Sequence, residues 1–133
     1  MRLRKTKVLI VEDDRLISLV ERKLLEQLNY EVVDVITKGE EVATAYEKHL
    51  PDLIILDICL AGETNGIEAA RAIWHHSEVP IVFISGNCDL YKAAVSTFEN
   101  PFHTFLSKPI SRKQLADAIA EVTFGHSGRL KVA

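Results

Sequence analysis

Little in this sequence would staple a chain or divide it. Only Cys59 and Cys88 carry thiols, too few for a disulfide framework or a zinc site. Four prolines and six glycines are scattered, so no Pro/Gly-rich linker splits the 133 residues. There is no internal repeat and no low-complexity tract. Apolar runs such as VLIV are far shorter than the roughly twenty residues of a membrane span or the apolar stretch of a signal peptide. The basic opening MRLRKTK therefore reads as a solvated lead-in to a strand. A formal charge of −3 gives no general attraction to nucleic acid or to an anionic membrane. With no export signal, the expected compartment is the cytoplasm, where both thiols stay free.

What remains is the composition of one globular domain, 47% hydrophobic and 26% charged, able to bury a core. Five short apolar runs, Lys7–Val11, Glu31–Ile36, Asp52–Leu56, Pro80–Ile84 and Phe102–Leu106, alternate with amphipathic segments. VLIV, LIIL and IVFI are apolar on both faces, as strands covered by helices on each side must be. In the first helical segment Leu16, Val20, Leu24 and Leu28 recur every four residues and form the expected buried stripe. The second is expected to start at a capping box, Thr37-x-x-Glu40. The third has Asn65 as cap, with Ile67, Ala70 and Trp74 on one side. The fourth, about residues 88–99, has the weakest pattern. The fifth opens at Ser111-x-x-Gln114 and buries Leu115, Ala118, Ile119 and Val122. This β-α alternation predicts an α/β fold, a doubly wound parallel sheet with right-handed crossovers and helices on both faces.

Ligands of such sheets bind beyond the carboxyl ends of the strands. There the runs lead into Glu12-Asp13-Asp14, Asp57, Ser85 and Lys108-Pro109. Singly these residues are ordinary: an Asp after a strand is usually a turn former or cap, as Asp14 is expected to be, and Ser85-Gly86 is by default a turn. Together they suit a hard cation and a phosphoryl group. Two carboxylates about 4 Å apart repel by roughly 4 kcal/mol at an effective dielectric near 20. Several in one pocket need a cation or a raised pKa. Magnesium takes oxygen ligands and bridges carboxylates to phosphate. Lysine brings a mobile positive charge, and serine a hydroxyl donor.

VLIVEDD (8–14), PDLIILDICL (51–60), NGIEAARAI (65–73), PIVFISG (80–86) and FLSKPI (105–110) resemble the response-regulator receiver family of two-component systems. The resemblance implies a (βα)5 flavodoxin-like fold with strand order 2-1-3-4-5, a receiver over residues 1–123, and 124–133 as a tail or the start of a linker. It makes Asp57 the phosphoacceptor, and Glu12, Asp13, Asp57 and the backbone carbonyl of Cys59 the holders of Mg2+, for which Mn2+ can substitute. Lys108 matches the lysine of the motif, joined to Pro109 by a cis peptide. Ser85 matches the switch hydroxyl and Phe105 the switch aromatic. The implied protein is a signalling module rather than an enzyme, with self-catalysed phosphotransfer and dephosphorylation at Asp57. Its phosphodonor would be a histidine kinase or a histidine phosphotransfer protein. Output would pass through the fourth helix, fifth strand and fifth helix to a protein target, a fused domain or a second copy.

Some positions depart from the common pattern. Ala61 stands where proline is usual, and Glu99-Asn100-Pro101 where a Gly-Ala turn is common. Cys59 and Asn87 fall beside the path of the hydrolytic water and are expected to tune the lifetime of the phosphorylated state. Cys59 and Cys88 read as plain thiols, and His75-His76 as a solvated pair at a helix end. A haloacid-dehalogenase-type hydrolase would need an Asp where Cys59 stands. A flavin module would need a phosphate-binding loop where Glu12-Asp13-Asp14 would repel phosphate.

Overall fold

The computed structural model describes residues 4–60, 62–86 and 93–132, the last nine by their backbone alone. Five parallel strands, β1 (Lys7–Val11), β2 (Glu31–Ile36), β3 (Leu53–Asp57), β4 (Ile81–Ser85) and β5 (His103–Ser107), form one sheet in the order β2-β1-β3-β4-β5. This is the flavodoxin-like topology expected. The helices are α1 (Arg15–Gln27), α2 (Val42–His49), α3 (Gly66–Trp74), α4 (helical at residues 93–95) and α5 (Arg112–Val132). The backbone of α5 thus continues past Val122, where the apolar periodicity ends. No helix among the described residues is long and apolar enough to cross a membrane.

Period-two alternation splits each central strand between two cores. Leu9, Val11, Ile54, Leu56, Ile81 and Phe83 pack under α2 and α3 with Val42, Ala45, Ile67, Ala70 and Ile73, and with Val95 of α4. Val8, Ile10, Leu53, Ile55, Val82 and Ile84 face Leu25 of α1 and Leu115, Ala118, Ile119 and Val122 of α5. Each fully buried Leu, Ile or Phe contributes about 1.5–3 kcal/mol, so these two layers hold the strand ends in register. Val11 lies opposite Ile36 and Leu56, and Asp57 opposite Ile84, which brings the ends of β1, β3 and β4 to one edge.

Three of the expected caps form. Asp14 accepts from the Leu16 and Ile17 N–H groups at the start of α1. Asn65 and Glu68 form a reciprocal capping box on α3. Ser111 and Gln114 do the same on α5, with N–H···O distances of 3.0 and 3.1 Å. The box expected at Thr37 does not form. A 3₁₀ turn, Gly39–Glu41, precedes α2, and its cap Lys38 makes no side-chain bond. Glu40 instead accepts the Thr64 N–H at 3.0 Å. Gly39 lies so close to the Thr64 carbonyl that a Cβ would overlap it, which seats the turn against the β3–α3 loop.

The α1 stripe also differs from expectation. Ser18, Glu21 and Leu25 are the buried residues, while Leu16 is 71% and Val20 47% exposed. Strict four-residue spacing drifts about 40° per step at 3.6 residues per turn, so such a stripe cannot face the sheet along a whole helix. Leu24 and Leu28, at its far end, do pack against the core.

Candidate functional site

The site lies where the carboxyl ends of β1, β3, β4 and β5 meet. Glu12 follows β1 and is held by its N–H to the Ile36 carbonyl of β2, 3.0 Å. Its side chain is 1% exposed, and its Oε2 accepts the Asp14 N–H at 3.2 Å. Asp57 ends β3 at 4% exposure, and its Oδ1 accepts the Cys59 N–H at 3.2 Å. Gly66 closes the loop beyond, donating its N–H to the Ile58 carbonyl at 2.9 Å. A Cβ on Gly66 would overlap the Asp57 carbonyl oxygen, so only glycine lets α3 start this close to β3.

Ligand oxygens of Glu12, Asp13 and Asp57 lie within 4.8 Å of one another. Lys108 Nζ stands 3.0 Å from Glu12 Oε1 and 3.4 Å from Asp57 Oδ2. Burial, and then the hydrogen bond with Asp57, pushes the Glu12 carboxyl up to about 7. Burial works against the charge on Lys108, but Glu12 and Asp57 outweigh it and raise its pKa. One cation therefore faces three acids. Although Nζ is near, Glu12 Oε1 is shut off from water and accepts no well-aligned hydrogen bond. An orphaned carboxylate oxygen beside two more carboxylates, on an acid that burial holds part-protonated, fits a divalent cation with oxygen ligands. The exposed Cys59 sits two residues past Asp57, so its carbonyl belongs to the same loop.

Ser85, fully buried, ends β4, and its carbonyl accepts the Lys108 N–H at 2.9 Å. The Lys108–Pro109 peptide is cis. Phe105 is half-buried in β5, paired in register with Phe83 and packed on the α2/α3 core. His75 and His76 are exposed, and among the described residues Glu12, Asp13 and Asp57 are the one cluster of metal-ligating type. Ala61, Asn87 and Cys88 lie outside the described residues.

Sequence reasoning missed two features of the fold. Glu21 of α1 is 2% exposed, and burial, reinforced by Glu12, pushes its carboxyl up to about 8. The other is a ring cluster of Trp74, Phe83, Phe98 and His103, with Phe83 and Phe98 stacked at 5.3 Å and Trp74 edge-on to Phe98 at 5.0 Å. It ties the segment after α4 to β4 and β5. The sequence carries no local signal for either, since both depend on which helix faces the tertiary fold selects.

Comparison with known proteins agrees with this geometry. The family model described as "Response regulator receiver domain" matches residues 8–120. The chain belongs to that family. It is 34% identical over 121 residues to the phyllosphere-induced regulator PhyR of Methylorubrum extorquens, an alignment covering 90% of this chain and 44% of PhyR. It is 29% identical to the protein CcdB of Bacillus subtilis, covering 91% and 99% of the two chains. Among solved structures, the signal receiver domain of a modulated diguanylate cyclase from Desulfovibrio desulfuricans superposes with a TM-score of 0.81 at 32% identity, covering 96% of this chain and 99% of that one. The chain thus spans less than half of PhyR but nearly all of CcdB.

Proposed function

We propose that this receiver accepts a phosphoryl group on Asp57 from a phosphohistidine of a histidine kinase or histidine phosphotransfer protein. The observation that carries the reading is Lys108 set against both Glu12 and Asp57, with Asp13 beside them, at one strand edge. Glu12, Asp13, Asp57 and the carbonyl of Cys59 would hold Mg2+, or Mn2+ in its place. Bound there, the ion supplies positive charge that offsets the repulsion between the phosphoryl oxygens and the acids.

The remaining steps fall to the chain's own residues. An Asp57 oxygen attacks phosphorus as the histidine P–N bond breaks, the electron pair leaves with the imidazole, and an acyl phosphate forms. Lys108 can turn from Asp57 Oδ2 to a phosphoryl oxygen while keeping Glu12. Ser85 offers its hydroxyl to another phosphoryl oxygen. Phe105, two residues from His103 and three from Lys108, then repacks, shifting the α4-β5-α5 surface between two states. Hydrolysis of the acyl phosphate at the same site resets the domain, so it acts as a signalling switch rather than as a turnover enzyme on a separate substrate. Output would pass to a protein target, a fused domain or a second copy bound through α4-β5-α5, and we place the protein in the cytoplasm.

Incubation with phosphoramidate and Mg2+ should add one phosphoryl group to the wild-type chain and none to Asp57→Asn. Full labelling of the variant would refute the assignment.

A further inference from the structure

The loop that follows Asp57 is gripped from a different strand–helix unit, the 3₁₀ turn Gly39–Glu41 between β2 and α2. Glu40 Oε1 accepts the Thr64 N–H at 3.0 Å. Gly39, one residue earlier, is pressed on the Thr64 carbonyl with no room for a Cβ. Both polar ends of the Thr64 backbone are thus held by neighbouring residues of one turn. Gly62 lies under the same carboxylate: a Cβ there would stand 3.4 and 3.5 Å from the two Glu40 oxygens. Glu40 makes this contact in place of the local box with Thr37 that its spacing allows, and the turn is left without a side-chain cap.

From Thr64 a short path leads to the phosphorylation site. Two residues on, the Gly66 N–H donates to the Ile58 carbonyl at 2.9 Å. That carbonyl shares a rigid peptide plane with the Cys59 N–H. The Cys59 N–H in turn donates to Asp57 Oδ1 at 3.2 Å. Moving Thr64 therefore tilts the peptide that orients the Asp57 carboxylate and carries the Cys59 carbonyl beyond it. Asn65, between Thr64 and Gly66, is fixed by its capping box with Glu68, so the segment moves as a unit.

We propose that Glu40 is a positioning residue for the phosphorylation site, a clasp that holds the β3–α3 loop with Asp57 and the Cys59 carbonyl set for the divalent cation. The inference rests on the phosphoacceptor reading for the reaction it serves. A site whose loop is competent only part of the time binds with an affinity reduced by that fraction. A hydrogen bond from a backbone N–H to a carboxylate is strong enough to change that fraction several-fold. Because the clasp comes from the β2–α2 turn, the position of that turn sets the affinity of a site to which it contributes no ligand.

The test compares the full wild-type chain with Glu40→Ala and Glu40→Gln, titrating Mg2+ with amide NMR detection. Glu40 is exposed, so neither variant disturbs the core. Glu40→Ala should weaken Mg2+ binding about threefold to tenfold and speed exchange of the Thr64 amide hydrogen by a similar factor. Glutamine can accept the same N–H without the charge, so Glu40→Gln should recover at least about half of each loss on a logarithmic scale. Phosphoramidate labelling of Glu40→Ala should be slow at low Mg2+ and reach the wild-type rate at saturating Mg2+, because the loop is displaced but no ligand is lost. Equal Mg2+ affinity in Glu40→Ala and wild type would overturn the proposal. So would a Glu40→Gln variant no better than Glu40→Ala, which would assign the effect to charge. If the wild type bound Mg2+ but took no label, the phosphoacceptor reading would fall instead, and the affinities would still report on the clasp.

Discussion

Burial sets the behaviour of individual acids here, and that makes it measurable. Burial raises the Glu12 carboxyl from 4.5 to about 7 and Glu21 from 4.5 to about 8. Between the unfolded and folded values the native chain binds protons that the unfolded chain has released. Stability therefore falls as pH rises through that window and levels off above it. Without divalent metal, Glu21 contributes the larger part of the fall above the Glu12 value among these two acids. Glu21→Gln should flatten the denaturant midpoint there; an unchanged slope would mean that Glu21 is not the titrating group. Glu21→Leu should also raise stability, by about 1–3 kcal/mol, because it removes an unpaired buried acid. Gly66 is the opposite case, a residue fixed by space. Gly66→Ala sets a methyl group against the Asp57 carbonyl and should cost about 1–3 kcal/mol. It should slow phosphoramidate labelling as well, because β3 must shift to relieve the overlap.

At the level of elements, what could be read in advance follows from how local each signal is. Asn65 with Glu68 and Ser111 with Gln114 close their boxes within three residues, so no distant contact intervenes. Asn65→Ala should lower the unfolding free energy by about 1 kcal/mol, seen as a lower denaturant midpoint at an unchanged m-value. Thr37 with Glu40 has the same spacing, but Glu40 found a partner in the β3–α3 loop, which sequence spacing cannot disclose. In α1 the structure differs from the expected stripe in phase. Leu16, Val20, Leu24 and Leu28 outline a stripe at four-residue steps, but the sheet selects Ser18, Glu21 and Leu25. The exposed Leu16 and Val20 and the buried Glu21 are two sides of that single difference.

Across the whole molecule, runs apolar on both faces announced a covered parallel sheet, and polar residues at their ends announced where the chemistry sits. Strand order came from the family resemblance, not from periodicity, and the structure shares it. Glu12, Asp13, Asp57 and Lys108 were legible because strand ends converge by topology; Glu21 was not, because a helix face is chosen only by packing. Ion binding and folding should be coupled through this edge. At a hundredfold excess over its Kd, Mg2+ should stabilise the chain by about 2.7 kcal/mol. Thermal melts should show this rise in wild type and lose most of it in Glu12→Gln.

The most direct test of the central claim is chemical trapping. Borohydride reduces an acyl phosphate to an alcohol with release of phosphate, turning a phosphorylated aspartate into homoserine. After treatment with phosphoramidate and Mg2+, peptide mass spectrometry should find homoserine at position 57. Homoserine at position 13 or 14, or at no position in a chain that has taken up phosphoryl groups, would contradict the account.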